Sequence, residues 1–403
     1  MPRFWNFRSH LRVIAALTFA SAAGHVSPVF AASQYTVLYT FQGTTDGNTP
    51  NGKLVADDTG NLYGTADGGD RTQCNGYGCG VVFKIAPNGR EKVLYAFTGK
   101  EDGAEPQGGV IFDETGNLYG TATSGGSGFG GVVFKITPRG RKKVLYAFTD
   151  EFDGGAPETG VIRDGRGNLY GTTDLFGRYG SGTIFKVAPD GKETTLYTFT
   201  GGDDGFFPSG LIRDKAGNLY GTTLDGGAHG SGTVFRLARD GTFTTLYSFG
   251  GSKDGVQPAA GVIADKAGNL FGTTDEGGAI GGGTVFKLAP DGTETVLYSF
   301  GGGSFAWYPN GLIEDKQGNF YGTSQYGGSS NCFDNGCGSV FKLAPDGTGT
   351  VLYAFTSGSD GGRPYAGVIR DHAGNLFGTT SRGGTGDCSG PGMGCGVVFE
   401  IRK

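Results

Sequence analysis

The residues of this sequence best suited to chemistry are carboxylates, and they recur. Asp46, Asp102, Asp153, Asp204, Asp254 and Asp360 each precede a glycine and stand four residues before a proline. Loop carboxylates near backbone carbonyls could hold calcium, but the D-x-[DN]-x-[DN]-G pattern of a calcium loop is absent. Six copies of one D-G-x-x-P segment read first as a turn device. Outside the N-terminal segment the histidines are His229, in GGAHGSG, and His372, in DHAGN. Neither has a neighbouring nucleophile or metal partner, and they belong to different loop types. The stretch GGSGFGG from Gly125 opens a strand-like run rather than a helix, so it does not read as a phosphate or dinucleotide loop. No cofactor and no metal are expected, and no catalytic set can be named.

Aromatic residues make a second candidate. One loop loses its Asp-Gly and reads SFAWYP, with Phe305 in place of the Asp and Trp307 and Tyr308 before Pro309. Phe206 and Phe207 occupy an equivalent loop, and Tyr365 follows the proline of another. Large aromatics on a loop face stack on sugars or anchor a protein partner. Phe206, Phe207, Phe305, Trp307, Tyr308 and Tyr365 are therefore the candidate ligand-binding residues. The competing account is local packing beneath the loops.

These residues are positioned by a repeat. GN[LF][YF]GT begins at Gly60, Gly116, Gly167, Gly217, Gly268, Gly318 and Gly374. Each repeat holds four short apolar runs: A (GLIRD in one copy), B (NLYGT), C (GTVFRL) and D (TTLYSF). Their Val, Ile, Leu, Tyr, Phe and Thr suit strands, and none has helical spacing. D-x-x-G-N joins A to B, and usually P-D-G joins C to D, so both joints read as hairpins. The chain opens on an unaccompanied D run, Tyr35 to Phe41, and stops on an unaccompanied C run, Val397 to Ile401. A ring puts these two together and leaves no open edge. The expected fold is all-β: a seven-bladed β-propeller of four-stranded antiparallel blades, closed by pairing the N-terminal strand with the C-terminal blade. The tight A–B and C–D turns share one face. The longer B–C and D–A loops share the other, where a site is expected.

Residues 1–31 read as a secretory signal: Arg3, Arg8 and Arg12, an apolar stretch from Val13 to Ala23, then Val29-Phe30-Ala31 as a cleavage site. Residues 32–403 are expected to form a single domain. The six cysteines fall in local pairs, Cys74/Cys79, Cys332/Cys337 and Cys388/Cys395, each within one B–C loop. Export makes three local disulfides the expectation. Zinc fits poorly without a neighbouring histidine, and free thiols are the remaining alternative. A net charge of −5 argues against a nucleic-acid surface. No later segment is apolar enough to cross a membrane.

With GNLYGTT, GTVFKLAPDGT, TVLYSF and DGxxPxAGVI in hand, the chain resembles the bacterial GloVer tandem-repeat family of exported proteins over essentially all of its mature length. The resemblance implies export but carries no activity onto particular residues. P-x-G-[LV]-I-x-D-x-x-G-N-L is more weakly similar to NHL-like and streptogramin-lyase-like propellers. A lyase would need a histidine and acid cluster on one face, which His229 and His372 do not supply. The function expected is an exported, periplasmic or extracellular, monomeric propeller that binds a glycan or a cell-envelope protein on its long-loop face. A polysaccharide or lactone lyase or hydrolase, and a structural envelope protein without a ligand, are the alternatives.

Overall fold

A computed structural model describes residues 34–69, 74–149, 151–301, 307–328, 336–388 and 394–403. The expected signal lies outside these residues. The fold is a ring of seven antiparallel blades, each with its strands in the spatial order A-B-C-D. Blades 1 to 6 span 55–96, 110–147, 162–198, 206–248, 263–299 and 307–354, and blade 7 takes 369–402. Blade 7 receives its D strand from the other end of the chain: Gln34–Thr40 pairs with Val397–Arg402 from Gln34↔Arg402 to Thr40↔Val397. In blade 6 a further short strand, Trp307–Pro309, pairs with Phe320–Tyr326. No helix among the described residues is long and apolar enough to cross a membrane.

The repeated motifs are now interpretable as contacts. The C-strand Phe of every blade lies against the glycine of its own YGT or FGT motif; a Cβ on Gly171, for example, would come within 2.5 Å of Phe185. Each D strand runs on to a Phe that meets the C-strand Phe of the next blade edge-on. Phe97 meets Phe134 at 5.3 Å and Phe249 meets Phe286 at 5.1 Å. The sequence ends join the same series, with Phe41 on Phe83 at 5.1 Å and Phe355 on Phe399 at 5.3 Å. One buried phenylalanine pair therefore sits at each blade junction around the ring, each edge-to-face pair contributing about 0.5–1.5 kcal/mol beyond its area burial.

The blades converge on their A strands, where the approach is so close that only glycine fits. A Cβ on Gly108 would lie 2.2 Å from the backbone of Gly160, and one on Gly261 would lie 2.4 Å from Gly210. Side-chain hydroxyls of B strands bridge to the neighbouring blade's backbone there, as in Thr121 to the Thr159 carbonyl (2.8 Å) and Thr323 to that of Ala366 (2.9 Å).

Candidate functional site

The recurrent loop carboxylates build turns. Asp46, Asp102, Asp153, Asp204, Asp254 and Asp360 each accept a hydrogen bond from the Tyr of the preceding D strand, for example Tyr39 at 2.9 Å and Tyr247 at 2.8 Å. The same carboxylates take backbone N–H groups four residues upstream, such as Thr98 (3.0 Å) and Gly250 (2.6 Å). The A–B turns use Asp in the same manner. Burial alone would raise the Asp57 carboxyl, but hydrogen bonds from Asn61, Thr59 and Tyr63 outweigh it and hold the group well below the usual carboxylate range. His229 and His372 are both exposed. Among the described residues no cluster of histidine, cysteine and carboxylates could hold a metal ion.

What the D-G-x-x-P loop presents is the residue before its proline. In all seven blades that residue is left-handed: Thr49, Glu105, Ala156, Phe207, Gln257, Tyr308 and Arg363 have φ between 53° and 60°. None is glycine, and such a conformation costs an ordinary residue on the order of 1 kcal/mol or more. Two hydrogen bonds hold it. The N–H of Glu105 donates to Cys79 O of the preceding blade (3.0 Å), and the Glu105 carbonyl accepts from Thr123 N at the end of its own B strand (3.1 Å). Thr49 repeats this between Cys395 O (3.0 Å) and Asp67 N (3.3 Å), and Arg363 between Cys337 O (2.7 Å) and Ser381 N (3.1 Å). The following proline then presses on the glycine before the previous blade's C strand. A Cβ on Gly182 would sit 2.8 Å from Pro208, and one on Gly396 2.6 Å from Pro50. The loop is clasped between two blades with its pre-proline side chain fixed in direction. The backbone is constant around the ring while the side chain varies from Thr to Arg.

Three of the pre-proline side chains meet residues at or just past the end of the B strand of the preceding blade. Gln257 donates to Asp225 (3.1 Å), Tyr308 donates to Glu276 (2.5 Å), and the Arg363 guanidinium lies 5.0 Å from the Tyr326 ring centre. Tyr326 in turn meets Tyr308 edge-on at 5.4 Å. Blades 1 to 3 carry an acidic arc on this face. Asn51 donates to Asp67 Oδ2 (2.6 Å), while Asp67 Oδ1, Asn51 Oδ1, Thr123 Oγ1 and Asp174 Oδ1 are buried oxygens without a hydrogen-bond partner among the described residues. Asp67 and Asp174 sit deep among protein atoms yet keep a partly exposed edge. Burial pushes Asp67 up to about 7 against the Asn51 hydrogen bond, with Glu105 and Glu158 adding to the rise. Burial likewise raises Asp174, and the neighbouring Glu158 carboxylate raises it further. Asp275 is pushed up to about 7 by burial and then by Glu276.

The aromatic candidates distribute over this face. Phe207 and Tyr308 are themselves pre-proline residues, and Phe206 and Trp307 precede them. Phe206 and Phe207 are half-buried and meet at 4.9 Å. Trp307 and Tyr365 are each 40% exposed. Phe305 lies outside the described residues. The disulfides Cys74–Cys79 and Cys388–Cys395 form within their B–C loops. Cys337 is buried and disulfide-bonded, while Cys332 lies outside the described residues. Sequence reasoning missed the carboxylates Asp67, Glu105, Glu158 and Asp174. The available signal was the variable residue before each loop proline.

The sequence pattern described as the Gloeobacter/Verrucomicrobia repeat matches residues 19–174, 72–264 and 160–390. No curated protein matches. Among solved structures, the extracellular domain of BT4673 from B. thetaiotaomicron, assigned to a one-component system, is similar at a TM-score of 0.55 and 12% identity, over 92% of this chain and 42% of that one. The extracellular domain of BT3049 from the same organism, assigned to a hybrid two-component system, is similar at 0.54 and 13%, over 92% and 41%. The chain thus spans about two fifths of the length of each, and the likeness is one of fold. A gluconolactonase from Xanthomonas campestris, XC5397, is similar at a TM-score of 0.43 and 15% identity, over 72% of this chain and 83% of that one.

Proposed function

This chain belongs to the Gloeobacter/Verrucomicrobia repeat family, and on that premise we propose that it is an exported propeller whose long-loop face binds a glycan. The observation that carries the reading is the ring of seven pre-proline residues, one backbone conformation bearing seven different side chains. Left-handed strain repeated at one position, where glycine would remove it, fits a role for the side chains rather than for the turn. The mixture suits sugars: aromatic faces from Phe207, Tyr308 and Trp307 to stack on rings, and oxygens from Asn51, Asp67 and Glu105 to accept from hydroxyls. The N-terminal signal and the local disulfides support a periplasmic or extracellular location.

A glycan array probed with the purified mature protein tests the reading. Saturable binding to at least one oligosaccharide is expected, with loss in a folded Phe207→Ala/Tyr308→Ala variant. No binding across the array, or binding untouched by that variant, rejects it. Retention of a cell-envelope protein instead would make the ligand a protein.

A hydrolase or lyase is the second reading, favoured by the Asp174–Glu158 pair. A carboxyl whose pKa is raised by burial and by a neighbouring acid is the kind of group that general acid–base chemistry uses. Release of reducing ends from a bound polysaccharide, abolished by Asp174→Asn with binding retained, would establish it.

A further inference from the structure

The short-turn face, opposite the long loops, holds a cleft between blades 3 and 4 of about 510 Å³, a size typical of small-molecule sites. Arg166, Lys186, Arg213 and Arg239 line it. The carboxylate in its wall is Asp164, whose acceptor capacity is taken up by its own turn. It receives the N–H groups of Arg166 and Asn168 at 2.9 Å, the Asn168 amide at 2.8 Å and the Tyr170 hydroxyl at 3.1 Å. Neither the Arg163–Glu114 nor the Arg402–Glu400 ion pair involves a cation of the cleft.

The sister blades make the departure plain. Between blades 2 and 3, Arg163 occupies the position of Arg213, and Glu114 of the adjoining turn closes on it at 2.9 Å. At the cleft, Gly165 stands where Glu114 does, with open space around its Cα, and Arg166 follows. In five other C–D turns a proline packs over the A–B glycine, as Pro189 does over Gly167 and Pro290 over Gly268. Here Arg239 replaces that proline. A Cβ on Gly217 would lie 2.8 Å from Arg213 Nη2 and 3.3 Å from Arg239 Cδ, so two arginines share one glycine. The Arg213 guanidinium is steadied 5.7 Å from the Tyr170 ring centre. In the adjoining recess, lined by Asn218, Arg236, Arg239 and Asp240, the buried Nε of Arg236 has no partner among the described residues. Asp240 is fully exposed there and accepts from Thr242 N at 3.0 Å.

Against these neighbours the cleft gains Arg166 and Arg239 and lacks the carboxylate that Glu114 supplies one junction away, and four like charges facing one turn-committed carboxylate are unfavourable unless an anion joins them. We infer that this cleft is a second ligand site, which binds an oxyanion: a carboxylate, sulfate or phosphate group, free or carried by an acidic saccharide. Guanidinium groups suit such planar or tetrahedral oxygens because they donate two parallel N–H groups.

Titration calorimetry with inorganic phosphate, inorganic sulfate and trigalacturonate tests the site, at constant ionic strength in chloride. Saturable binding of at least one probe is expected. A preference for trigalacturonate identifies the saccharide source, and a preference for phosphate or sulfate identifies the free ion. Arg239→Pro installs the proline that five sister turns carry, and Gly165→Glu the residue that blade 2 carries as Glu114, so both variants should fold. Each is expected to weaken binding at least ten-fold. Absence of saturable binding by all three probes, or full affinity in folded Arg239→Pro and Gly165→Glu, would overturn the inference.

Discussion

Tyr35, near the start of the described chain, stacks on Tyr353 of blade 6 with ring centres 3.8 Å apart and planes inclined by 10°. Its hydroxyl also reaches the Asp360 carbonyl at 2.5 Å. The N-terminal strand thus completes blade 7 and at the same time seals the junction between blades 6 and 7. Removing residues through Phe41 should expose the Val397–Arg402 edge and uncover Phe83, which Phe41 covers. The expected outcome is aggregation or a sharply lowered melting temperature. Wild-type melting of the shortened protein would refute closure by this strand.

The disulfides are local, with sequence separations of 5 and 7 residues. Loops so short restrict the unfolded chain little, so reduction should cost about 2 kcal/mol or less per bridge and leave the ring folded. Circular dichroism before and after reduction checks this. Cys79 and Cys395 have a second duty, because their carbonyls accept the N–H groups of Glu105 and Thr49. Reduction should therefore loosen those two pre-proline residues first, seen as faster amide exchange at Glu105 and Thr49 than at Ala156, whose acceptor is Gly130.

The blade count and the closure are legible in the sequence because turn chemistry is local. D-x-x-G-N and P-D-G announce hairpins, and the orphan runs at Tyr35 and Val397 have no other partner. The long-loop face is not legible in that way. Thr49, Glu105, Ala156, Phe207, Gln257, Tyr308 and Arg363 share a conformation and no chemistry, and the conformation is imposed by carbonyls of the preceding blade. Asp67 and Asp174 look like loop residues until burial removes their water. Trp307 and Tyr308 stood out because they break a motif. Arg239 breaks one too, but replacing proline with arginine in an exposed turn carries no signal until Arg213 is found beside it.

Asp67 makes a pH prediction. Its carboxyl is raised to about 7 by burial, so the folded state holds its proton more tightly than the unfolded state does. That contribution to stability is full below the ordinary aspartate range near pH 4 and is lost as pH rises through about 7. Asp67→Asn keeps an acceptor for Asn51 and cannot ionise. Relative to this variant, the native protein should lose stability between pH 4 and 7, by at most about 4 kcal/mol. Denaturant melts of both proteins across that interval measure the difference. Parallel curves would show that Asp67 is ionised and solvated.

Trp307 separates a binding role from a packing role. It is 40% exposed, on the short strand Trp307–Pro309 that pairs with the end of Phe320–Tyr326. The Tyr308 hydroxyl is committed to Glu276 and its ring to Tyr326, which leaves Trp307 as the more exposed aromatic of this strand. An indole left in water is poorly placed for stability and well placed for stacking on a sugar ring. Trp307→Ala should therefore leave the melting temperature nearly unchanged and weaken binding of the best array oligosaccharide by about 1–3 kcal/mol. If the ring instead packs beneath a neighbouring loop, the substitution lowers the melting temperature and leaves affinity per folded molecule as it was. Melting and affinity measured on the same preparation distinguish the two.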